Sequence, residues 1–93
     1  MGEETIRVSH PRILVVEGED ERVFFGAFLR HKAVQDIQVL PVGGKQKLRA
    51  GLKALRLSPG FDTVVVLGVV RDADESPERA FQSVQDALRD AEL

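Results

Sequence analysis

Glu17, Asp72 and Asp74 are the residues of this 93-residue chain whose type and spacing best suit chemistry. Each follows an apolar run. Arg12-Ile13-Leu14-Val15-Val16 leads into Glu17-Gly18-Glu19-Asp20, and Thr63-Val64-Val65-Val66-Leu67-Gly68-Val69-Val70-Arg71 leads into Asp72-Ala73-Asp74-Glu75. Carboxylates at strand ends are hard oxygen ligands, and magnesium needs only one or two of them beside a substrate phosphate. Asp72 and Asp74 are two positions apart, so in extended chain their side chains leave on the same side. The expected centre is Mg²⁺ or Mn²⁺ held by Glu17, Asp72 and Asp74. The plainer reading for Glu19, Glu21, Asp74 and Glu75 is solvated acids at helix starts, where the dipole favours them. Asp20 is a secondary acidic candidate under the same two readings.

A second group suits anions. Gly43-Gly44 frees backbone N–H groups ahead of a helix, and Lys45 adds charge, which together fit a phosphate. The Walker A spacing is missing. Lys45, Arg49, Lys53 and Arg56 recur at four, four and three, forming one helical stripe. Such a stripe either tracks a nucleic-acid backbone or is ordinary solvated surface. His10 and His31 have no ligand spacing to each other and read as surface residues.

The elements that must position these groups alternate. Ile13 to Val16 is expected to be a strand covered on both faces. Gly18 allows a sharp turn, and a helix runs from Glu19 to about His31. Val23, Phe24, Ala27 and Phe28 form its apolar face, widened by Phe25 and Leu29 toward a partner or a missing part of the chain. A strand over Ile37–Val42 precedes a helix from about Lys45 to Leu57, with Leu48, Leu52 and Leu55 as its stripe. Ser58-Pro59-Gly60 breaks it. Thr63 to Val70 reads as the strongest strand. Ser76 is expected to cap a last helix that starts at Pro77, with Phe81, Val84, Ala87 or Leu88, and Ala91 as its regular apolar face.

This β-α-β-α-β-α order predicts a three-layer α/β/α, Rossmann-like domain with a short parallel sheet in strand order 2-1-3. The winding then reverses between the first and third strands, opening a crevice at their carboxyl ends. Glu17 and Asp72 would meet there.

Composition bounds the rest. Ninety-three residues make one domain. The apolar share of 43% and charged share of 30% fit a globular chain, and the net charge of −2 carries no global nucleic-acid signature. Having no cysteine, the chain makes no disulfide and no thiolate site. Lacking tyrosine too, it has no tyrosine nucleophile. No apolar run nears the ~20 residues of a membrane span, and a cytoplasmic location without membrane contact is expected.

Val16-Glu17-Gly18, Val42-Gly43-Gly44-Lys45 and Asp72-Ala73-Asp74, in this order and on these elements, resemble the toprim domain. The stretch Val-Glu-Gly-Glu-Asp-Glu-Arg-Val-Phe-Phe looks most like the overcoming-lysogenization-defect nucleases and a related toprim-like group of unknown function. The resemblance spans about residues 12–92. It implies Mg²⁺-dependent phosphodiester cleavage or transfer on nucleic acid, DNA ahead of RNA. Glu17 would be the general acid or base, and Asp72 and Asp74 would hold the metal. A toprim fold usually has a further strand, so the chain is read as one toprim-like domain over 1–93, a fragment of a longer chain, whose activity needs further domains or subunits. The alternatives are a non-catalytic toprim-like module binding nucleic acid, nucleotide or protein, and, more weakly, a receiver-like signalling domain.

Overall fold

A computed structural model describes residues 6–44, 47–71 and 76–93. The elements are β1 (Arg12–Val16), α1 (Glu19–His31), β2 (Ile37–Pro41), α2 (Leu48–Arg56), β3 (Val66–Val69) and α3 (Pro77–Asp90). The strands form one parallel sheet in the order β2-β1-β3. Arg12 stands opposite Ile37 on one side and opposite Val66 on the other. The expected α/β topology is the observed one.

Alternation along β1 divides the layers. Ile13 and Val15 enter a core built with Leu48, Leu52 and Leu55 of α2 and Ala87 and Ala91 of α3. Leu40 of β2 and Leu67 and Val69 of β3 border the same core. Thus α2 and α3 cover one face of the sheet. α1 is the single helix of the other layer and packs on β2.

Local chemistry explains the boundaries. Ser76 caps α3 by accepting from the Arg79 N–H at 3.2 Å, and Pro77 is the first helical residue, as the sequence predicts. β3 is shorter than its composition predicts. Phe61–Thr63 form a 3-10 turn behind Gly60, whose φ of 89° needs glycine. The ladder starts at Val66, whose N–H donates to the Pro11 carbonyl. Proline has no N–H for the Val64 carbonyl, so pairing cannot extend backward, and the Val64 N–H donates to Phe61 instead. Nor is β3 covered on both faces: Val66 is 54% exposed, and Val65 just before the strand is 74% exposed.

Two helices also differ from expectation. α2 begins at Leu48 behind Lys47, and Lys45 and Gln46 lie outside the described residues. In α1, Val23, Phe24, Ala27 and Phe28 face solvent, whereas Phe25 and Leu29 are half-buried. With one helix in that layer, only one of its apolar faces meets the sheet. Gly18 is extended (φ −148°), so the turn after Glu17 does not draw on glycine's positive-φ freedom.

Candidate functional site

Glu17 is the buried polar residue of the described core, 4% exposed, at the carboxyl end of the central strand. Both neighbouring strands end beside it. The Val42 N–H donates to Val16 and the Val70 N–H to Val15, carrying the parallel pairing past β2 and β3. The Gly44 N–H donates to the Glu17 carbonyl at 2.6 Å, which ties the glycine turn to the acidic strand end. Gly43 and Gly44 have φ of 94° and 134°, a region that a side chain would strain. The two glycines are therefore required by the backbone that closes over Glu17.

Arg71 joins this acidic strand end in the fold. Its Nε lies 3.9 Å from Glu17 Oε2, and its side chain is only 21% exposed. Its guanidinium also donates to Ser83 Oγ on α3. The signal was present in sequence as the residue directly before Asp72. A buried carboxylate requires a compensating partner, and the reversal of winding brings the end of β3 to that of β1.

Asp72, Asp74 and Glu75 lie outside the described residues, as does Lys45. Among the described residues no group of three acids or histidines gathers as a metal site. Asp20 lies exposed in the first turn of α1. Glu19 is engaged by Arg22, whose hydrogen bond holds its carboxyl below the ordinary value.

The basic stripe divides. Arg49 Nη1 pairs with Asp90 Oδ2 of α3 at 2.7 Å, so Arg49 links two helices. Lys53 and Arg56 are exposed. Lys47, which the stripe omitted, joins Arg7, Glu19 and Gly43 in lining a cleft of about 710 Å³, with Val15 and Leu40 among its apolar walls. That volume is in the range of ligand sites. His10 is half-buried, and its Nδ1 pairs with Ser9 Oγ at 2.8 Å. No helix among the described residues is long and apolar enough to cross a membrane.

Fold and site thus define a small three-layer α/β domain with a buried carboxylate at the switch point of a parallel sheet. Residues 11–93 match the family described as a protein of unknown function, DUF3226, and the chain belongs to that family. Neither a curated protein nor a solved structure matches the chain.

Proposed function

We propose that this is a toprim-like domain for Mg²⁺- or Mn²⁺-dependent phosphodiester cleavage or transfer on nucleic acid, DNA ahead of RNA. The observation that carries the reading is the buried Glu17 at the switch point, joined to the glycine turn by the Gly44 N–H and to the end of β3 by Arg71. In open parallel sheets ligands bind at such a point.

Each residue has a role in this reading. Glu17 moves the proton of the attacking or leaving oxygen. Arg71 steadies that carboxylate and offers charge to a phosphate oxygen. The Gly43-Gly44 turn, with Lys45 and Lys47, receives the neighbouring phosphate. Asp72 and Asp74 hold the cation, which when bound stabilises charge on the phosphoryl group. Lys53 extends the backbone track, and Arg49 contributes less because Asp90 engages it.

The Glu17–Arg71 pair also favours a second reading: a non-catalytic module in which the acid is retained for structure. One experiment separates the two. Wild type and Glu17→Gln are incubated with supercoiled DNA, single-stranded DNA and RNA, with and without Mg²⁺ or Mn²⁺. The catalytic reading expects metal-dependent cleavage that falls by about 10²-fold or more in Glu17→Gln while nucleic-acid binding persists. Binding without cleavage in the wild type supports the module instead. Calorimetric metal uptake equal in wild type and Asp72→Asn/Asp74→Asn would sink the metal site.

A further inference from the structure

α1 carries a ridge that nothing in the described chain covers. Asp20, Phe24, Phe28 and Lys32 follow one another at intervals of four, so they form a single i±4 row. All four are exposed, with Phe24 at 62% and Phe28 at 46%. The row is already ordered. The Phe24 and Phe28 rings stack at 6.5 Å with 14° between planes. Phe25 meets Phe24 edge-on at 5.1 Å. Lys32 Nζ lies 5.9 Å from the centre of the Phe28 ring. Val23, Ala27 and His31, also exposed, form the neighbouring row, and the small Ala27 leaves a hollow between the two.

The charge pattern identifies the occupant. The ridge reads acid, ring, ring, base. The acidic end is reinforced by Glu21 in the first turn of α1, where Arg22 engages Glu19, and the basic end by Arg30 and His31 in the last. A partner of one charge would meet like charge at one end. A second α1 laid antiparallel matches both ends at once: Asp20 faces the partner's Lys32, and Phe24 faces the partner's Phe28. Interdigitated i±4 ridges are the commonest helix packing, crossing near −50°.

We propose that the chain forms a two-fold dimer through α1, with the Asp20-Phe24-Phe28-Lys32 ridge of one protomer antiparallel to that of its partner. Two rings of this exposure present about 100 Å² each. With the flanking row and the lysine and arginine stems, the two copies bury about 1,000 Å² in total, the low end for a specific interface. The dimer is accordingly concentration-dependent, dissociating in the micromolar range. The proposal is independent of the phosphodiester reading.

Sedimentation equilibrium of the full chain tests it, with circular dichroism to verify that each variant is folded. Asp20→Lys and Lys32→Asp each place like charges together at both ends of the ridge, so each alone is expected to weaken the dimer by about tenfold or more. An equimolar mixture of the two variants is expected to restore association to the wild-type level, because every cross-pair is again complementary. Phe24→Ser is expected to abolish the dimer. A wild type that remains monomeric up to about 1 mM overturns the proposal. So does a dimer unaffected by the single changes, or a mixture that fails to restore it.

Discussion

Ala33 and Glu92 each end a helix in the left-handed region, with φ of 54° and 61°. After α1, the Ala33 N–H donates to Arg30 and the Val34 N–H to Leu29. After α3, the Glu92 N–H donates to Arg89 and the Leu93 N–H to Leu88. Both are Schellman endings with a side chain where glycine usually stands. That conformation costs a non-glycine residue about 1 kcal/mol. Ala33→Gly and Glu92→Gly should therefore each raise unfolding free energy by about 1 kcal/mol, with roughly additive effects at two separate helix ends. Urea denaturation measures this, and a loss of stability at either position would contradict the strain. Neither site was legible in the sequence, because alanine and glutamate ordinarily mark helix interiors. Glu17 was legible, since a carboxylate closing the unbroken apolar run Ile13–Val16 must lie where a buried strand ends. Arg71 was not, because its role depends on which strand end lies beside β1.

Gly51, in the middle of α2, shows the same gap between propensity and packing at the scale of an element. Alanine is the better helix former by about 1 kcal/mol. A Cβ at Gly51, however, would lie 2.5 Å from Val42 Cγ1 and 2.8 Å from its Cβ. Val42 belongs to the segment whose N–H holds the end of β2 to β1, so it has little room to retreat. Overpacking of this kind costs about 1–3 kcal/mol. Gly51→Ala is thus expected to lose about 1 kcal/mol net, and adding Val42→Ala should remove much of that penalty. Thermal melts of the single and double variants decide it, and a stabilised Gly51→Ala would show that α2 moves freely against β2. The order and type of all six main elements could be read from periodicity. Their limits and faces could not. Pro11 shortens β3 by withholding one N–H, and the layer on which α1 sits decides which of its two apolar faces is buried.

At the scale of the whole molecule, strand order leaves two edges, and the chain treats them differently. On β2, the Gln38 side chain binds the lead-in, donating to the Arg7 carbonyl and accepting from the Ser9 N–H at 2.8 Å. Among the described residues β3 has no comparable tie. The Val66 and Val70 N–H groups turn inward to β1, so by alternation those of Leu67 and Val69 point away from the sheet. From Thr63 to Val70 the sequence carries no charge and no proline. A flat apolar edge of that kind templates pairing with other chains. Val65 is the point at which to interrupt it: its side chain is 74% exposed, and its backbone N–H bond to Pro11 survives substitution. Val65→Lys is expected to change stability by no more than about 0.5 kcal/mol, as an exposed substitution should. The same change should slow aggregation at elevated temperature several-fold, because a lysine guards the strand against edge-to-edge pairing. Light scattering of both proteins at equal concentration, a few degrees below the melting midpoint, measures the rate. An unchanged rate with unchanged stability would place the aggregating surface elsewhere, and the exposed α1 ridge would then be the region to alter next.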